Sequence, residues 1–110
     1  MTSRPQSGDV ARRYADFAQF YPFYLGEHSN RGSRRLHFVG TVLFVLQWLL
    51  ALPLSQPWFW LTGPLTGYAF AWVGHFFFER NRPATFSHPV YSLMGDFAMA
   101  ADILRGRIPW

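Results

Sequence analysis

The sequence contains no cysteine and no lysine. The first absence excludes disulfide frameworks, thiolate zinc sites, iron–sulfur clusters, covalently attached c-type haem and cysteine nucleophiles, so any metal bound here rests on nitrogen and oxygen. All ten basic residues are consequently arginine, and against six acidic residues they give a formal net charge of +4. The arginines form no continuous run and have no interleaved aromatic stacking platform, which argues against a nucleic-acid partner. At 110 residues the chain has room for one domain of ordinary size.

A third absence is more informative. From Leu36 to Phe78 there is no Asp, Glu, Lys or Arg, a stretch of 43 residues bounded by Arg34 and Arg35 before it and by Glu79, Arg80 and Arg82 after it. The mean hydropathy of +0.01 averages this stretch with two polar flanks and conceals it. The segment Pro53-Leu54-Ser55-Gln56-Pro57 cannot continue a helix and divides the stretch into apolar segments 36–52 and 58–78. A helix needs roughly 20 residues, and at least about 17, to cross the hydrocarbon core, so the spacing predicts a transmembrane helical hairpin. Trp48, Trp58 and Trp60 lie near the connection as headgroup anchors, and Gly63, Pro64 and Gly67 are tolerated in a membrane helix. Every arginine lies outside the hairpin. The positive-inside rule therefore predicts an integral membrane protein with both termini cytoplasmic and the turn on the far side. The short, arginine-only chain points to a bacterial inner membrane, or to the endoplasmic reticulum membrane if it is eukaryotic.

Residues 1–8 read as a disordered tail. In 9–24 the positions Val10, Tyr14, Phe17, Ala18 and Tyr21 follow helical spacing and predict an amphipathic helix that Pro22 limits. Ser87-His88-Pro89 opens a final helix over 88–104, with Pro89 suited to its first turn. Asp96 and Asp102 make that helix an interfacial or short membrane element. The expected fold class is thus an all-α, small membrane helical bundle forming a single domain.

Topology gathers the histidines. His37 begins the first apolar helix and His75 nears the end of the second, so an antiparallel hairpin puts both at the cytoplasmic end. His28 lies in the loop before the first and His88 opens the last helix. His75 and Glu79 are four apart and share a helix face. Ionisable groups at a membrane segment are costly and mark function by default, which predicts one site recruiting all four imidazoles. Imidazole with carboxylate and no thiolate suits Fe(II), Zn(II), Cu(II) or Ni(II), and ligand type alone does not choose among them. Two other classes stand beside a metalloenzyme: a bis-histidine haem electron-transfer protein with His37 and His75 as axial ligands, and a non-enzymatic membrane scaffold.

Three segments carry a more specific signal: Tyr24-Leu25-Gly26-Glu27-His28-Ser29-Asn30, then Arg34-Arg35-Leu36-His37-Phe38-Val39-Gly40-Thr41, then Trp72-Val73-Gly74-His75-Phe76-Phe77-Phe78-Glu79-Arg80-Asn81-Arg82-Pro83-Ala84. Across roughly residues 14 to 105 this pattern resembles the DUF962 or Mpo1-like family of small membrane proteins, whose fungal member is a 2-hydroxy fatty acid dioxygenase. The resemblance implies Fe(II)-dependent α-oxidation, in which a long-chain 2-hydroxy acid and dioxygen give an acid one carbon shorter at the boundary of the lipid bilayer. It carries His28, His37, His75 and His88 over as iron ligands, and Glu79 as a ligand or the partner of one. In that scheme Arg34, Arg35, Arg80 or Arg82 docks the substrate carboxylate with a planar fork. Tyr24, Asn30 and Asn81 orient imidazoles through the ring nitrogen that does not bind metal, although Asn30 can equally cap the first apolar helix.

Overall fold

The computed structural model describes residues 14–83 and 86–110, and among these residues it is all-helical with no strand. Its elements are α1 (Phe17–Gly26), α2 (Arg31–Ala51), α3 (Phe59–Val73), a π-helical segment Gly74–Glu79 that continues α3, and α4 (Pro89–Leu104). The tail expected over 1–8, and the start of the helix expected over 9–24, lie outside the described residues. The helix that forms begins at Phe17, where the Asp16 side chain accepts the Gln19 backbone N–H at 2.9 Å. It then runs through Pro22 to Gly26 instead of stopping at the proline.

Asn30 starts α2 by accepting the Ser33 N–H at 3.1 Å, and α2 and α3 pair as the hairpin the charge pattern predicts. The turn between them spans Leu52 to Trp58, with Ser55 in the left-handed region at φ 51°. Pro89 occupies the first turn of α4, which packs along α2 and is crossed by α1. The α1–α4 seam holds the main apolar cluster, Phe20, Phe23, Tyr24 and Met99. It is tied at its edge by the Tyr21 hydroxyl donating to Asp102 at 2.8 Å.

The far half of the hairpin has no comparable cover. Leu49, Leu52, Trp58 and Leu61 are all more than half exposed. Yet no helix among the described residues is long and apolar enough to cross a membrane. The expectation of two crossing helices is therefore corrected to a helical hairpin. The reason lies at the helix boundaries: α2 includes Arg31, Arg34 and Arg35 in its own first turns, and α3 keeps α geometry for only 15 residues, among them Thr62, Gly63, Pro64, Thr66 and Gly67.

Candidate metal centre

His28, in the turn after α1, meets His37 of α2 and His75 of the π segment; all three imidazoles are buried. The Nδ1 of His28 donates to the Tyr24 carbonyl at 2.6 Å, and that of His37 to the Ser33 carbonyl at 2.9 Å. A carbonyl oxygen cannot donate, so both rings carry their proton on Nδ1 and a lone pair on Nε2. His75 Nδ1 lies 2.6 Å from the Asn81 Oδ1. That amide's orientation is fixed because its Nδ2 donates to the Glu27 carbonyl and carboxylate at 3.0 and 3.3 Å. His75 is thereby held in the same tautomer. The three Nε2 lone pairs then face one another, His28 to His37 at 2.9 Å and His37 to His75 at 3.2 Å. Three acceptors this close, with no proton among them, repel unless a cation lies between.

Local structure brings this about. The wider turn of the π segment displaces His75 from the register an α-helix would give it, a device frequent at functional sites. Arg80 follows in the left-handed region at φ 59° and reverses the chain, so that the Asn81 N–H returns to the His75 carbonyl at 3.0 Å. Gly74 lets the two helices approach. A Cβ there would come within 2.9 Å of Ser33 Oγ and 3.4 Å of the His37 ring.

Burial disfavours the charged form of each ring. It pushes His28 well below the ordinary imidazole range, with His37 and His75 adding to the effect, and pushes His37 down to about 3 and His75 down as well. Neutral imidazoles are what a metal needs. Two ligand nitrogens at right angles around a cation, each about 2.1 Å from it, stand about 3.0 Å apart, close to the His28–His37 and His37–His75 spacings, and the three ligand atoms all lie within 4.8 Å of one another. The donor set therefore suits one divalent metal, which His28, His37 and His75 would hold through nitrogen. It does not fit a haem. Axial nitrogens on opposite sides of an iron stand about 4 Å apart with the macrocycle between them, whereas His37 and His75 approach to 3.2 Å.

The other residues singled out from sequence are distributed differently. His88 is not with the three. Its ring packs on Tyr14 and Phe20 at centroid distances of 5.2 and 5.4 Å, and its Nδ1 lies 2.9 Å from Ser87 Oγ. Glu79 accepts the Asn30 N–H at 2.7 Å instead of facing the imidazoles, and Asn30 is the α2 cap rather than an imidazole partner. Asn81 and Tyr24 do contact the imidazoles, Tyr24 through its carbonyl and through a ring stacked on His28 at 4.0 Å. Arg34 donates to the carbonyls of His28, Ser29 and Pro109, and Arg35 is exposed with its guanidinium over the Trp110 ring at 5.3 Å. Arg80 and Arg82 line an open cleft with Phe76, Asn81 and Phe86.

Sequence reasoning missed Asp96. It lines a pocket with His37, His75, Tyr68 and Ala71, and a second, more apolar pocket with Thr41, Phe44 and Phe97 that shares Tyr68 and Ala71. Burial pushes its carboxyl up to about 7, against the opposing pull of a hydrogen bond from Tyr24. One signal was available: Asp96 stands four residues after Ser92 and three before Met99, so it borders the buried face of α4.

The family described as 2-hydroxy-palmitic acid dioxygenase Mpo1-like matches the chain over residues 14–108. Neither a curated protein nor a solved structure matches it.

Proposed function

The chain belongs to the Mpo1-like family, and on that premise we propose that it is an Fe(II)-dependent dioxygenase that shortens a long-chain 2-hydroxy acid by one carbon. The observation that carries this reading is the convergence of the His28, His37 and His75 Nε2 lone pairs on one point. Iron held there supplies dioxygen activation and a Lewis acid for the substrate's carboxylate and hydroxyl, and the substrate is itself the reductant, so no 2-oxoglutarate is required. The chain's own residues do the positioning. The Tyr24 and Ser33 carbonyls and the Asn81 amide keep the three Nδ1 protons in place, which fixes ring orientation and raises ligand basicity. Arg80 and Arg82, beside Phe76 and Phe86 in the open cleft, gather an anionic amphiphile from the surface.

The same reading seats the far end of the hairpin in a lipid bilayer, entered from the arginine-bearing cytoplasmic face. Supporting this are the uncovered Leu49, Leu52, Trp58 and Leu61 at one end and the arginines at the other. From Leu36 to Leu52 the helix rises about 25 Å, short of the roughly 30 Å hydrocarbon core, so the hairpin enters without crossing. Co-flotation with vesicles tests the seat; protein left wholly at the bottom of the gradient would contradict it.

The activity test is incubation of detergent-purified protein with anaerobically added Fe(II), 2-hydroxyhexadecanoic acid and then dioxygen. The expected result is one dioxygen consumed per pentadecanoic acid formed, with the carboxyl carbon released as carbon dioxide and the remaining oxygen as water. Tight zinc binding with no oxygen uptake would contradict the reading.

A further inference from the structure

We propose that the apolar pocket between α2, α3 and α4 is a holding site for dioxygen, one step from the imidazoles and separate from the cleft that takes the acid; this rests on the function proposed above. The imidazoles of His28, His37 and His75 are almost wholly buried. The open cleft nearby is lined by Arg80 and Arg82 and suits an anion. A neutral diatomic gas gains nothing from those arginines, and an acid seated in the cleft stands in its way.

Two small pockets inside the bundle have a different character. Each has room for about one water-sized molecule, too little for an acyl chain. One is walled chiefly by Phe44, Pro64, Leu93 and Phe97, and the other reaches His37 and His75. They share the wall formed by Tyr68, Ala71 and Asp96, to which Ala71 contributes only a methyl group. Phe97 is more than a third exposed, so the apolar pocket lies one side chain beneath the surface.

Residue size accounts for the space. Gly67 and Ala71 stand four residues apart on one face of α3, and a Cβ on Gly67 would come within 3.2 Å of the Phe44 ring. Phe44 packs in turn on Phe97 of α4 at a centroid distance of 5.5 Å. Two rings braced on each other relax only partly into the gap that the small residues leave. Small, largely apolar cavities stay dry and take up apolar guests such as xenon. Dioxygen has the same chemistry, with no charge and no hydrogen to donate, and its two atoms need little more room than one water. The acid therefore arrives through the cleft and the gas between the helices, without competing.

The test pressurises crystals of the full chain with krypton and, separately, measures oxygen uptake by the Fe(II)-loaded protein against dioxygen concentration. In the unaltered protein a krypton atom is expected in the pocket bounded by Phe44, Ala71 and Phe97. Leu93→Phe fills this pocket from α4 and touches no part of the pocket that reaches the imidazoles. It is expected to exclude krypton and to raise KM for dioxygen about threefold or more, with iron content and kcat at saturating dioxygen unchanged. If that variant fails to fold, krypton in the unaltered protein decides the matter alone. An ordered water in the pocket, no gas atom under pressure, or an unchanged KM in a folded variant that excludes krypton overturns the assignment and leaves the proposed function standing. Absence of oxygen uptake by the unaltered protein overturns both, whether or not krypton binds.

Discussion

At one end of the α2–α3 hairpin the helices bury His37, His75 and Ser33 against a loop histidine; at the other they leave Leu49, Leu52, Trp58 and Leu61 uncovered. Both halves carry polar side chains between the helices, and the way these are satisfied separates them. In the far half Gln47 donates to Thr66 Oγ1 at 3.0 Å and to the Leu43 carbonyl at 3.2 Å. Thr62 donates to Gln47, and Thr66 donates back to the Thr62 carbonyl. Each donor has its acceptor, and the network is closed. Near the loop the Nδ1 protons are equally well placed, but the three Nε2 lone pairs face only one another. A closed network holds helices together, whereas an open one with convergent acceptors awaits a cation. The difference is one of hydrogen-bond bookkeeping rather than residue polarity.

Substitutions at the two ends should therefore separate metal binding from stability. The largest effect is expected for His37→Ala, which removes the imidazole lying between the other two. Iron content of the purified variant should fall to background and oxygen uptake should cease; retention of full iron would show that the convergence has no role in binding. Asn81→Ala leaves the ligands in place but frees the His75 Nδ1, and should weaken metal affinity about 10- to 100-fold, measured by competition with a chelator. An unchanged affinity would mean that the Glu27–Asn81–His75 chain is only structural.

Acid should also act mainly at the histidine end. In the metal-free folded state burial keeps the imidazoles neutral, His37 down to about 3, whereas unfolded imidazoles titrate near 6.5. Below pH 6.5 the unfolded chain binds more protons, so stability is lost as pH falls from about 6.5 toward 3. Asp96 runs the opposite way. Its folded value of about 7 against 3.8 means that its contribution is whole below 3.8 and is lost as pH rises toward 7. Burial raises the Glu27 carboxyl as well, with the Glu79 charge adding to it; three rings still outnumber two carboxyls, and denaturant midpoints should decrease between pH 7 and 5; a flat profile would contradict the buried, neutral assignment. The smallest effect is expected at the far end, where Gln47→Leu should cost about 1 kcal/mol of stability with metal affinity unchanged.

The helical hairpin was legible because a charge-free stretch interrupted by Pro53 and Pro57 leaves little else for the chain to form. The meeting of His37 and His75 followed from antiparallel topology, and that of His28 from a short loop. His88 shared the same layer in sequence terms, yet the Tyr14 and Phe20 rings hold it at the α1–α4 seam, a contact that no spacing rule encodes. The π segment was not legible either, since Gly74–Glu79 reads as ordinary helix until Gly74 must clear Ser33. Arg34 looked like a membrane-flanking or substrate-docking charge because its acceptors are backbone carbonyls, which side-chain patterns do not reveal. Asp96 escaped notice because its partner, Tyr24, stands 72 residues away. Helix boundaries also account for the failed expectation of crossing helices: the arginines that seemed to precede α2 belong to its first turns.

X-ray absorption at the iron edge of the Fe(II)-loaded protein tests the central claim most directly. One iron per chain, with scattering from three imidazoles at about 2.1 Å, is the predicted result. Iron bound without imidazole scattering, or no stoichiometric iron at all, would contradict it.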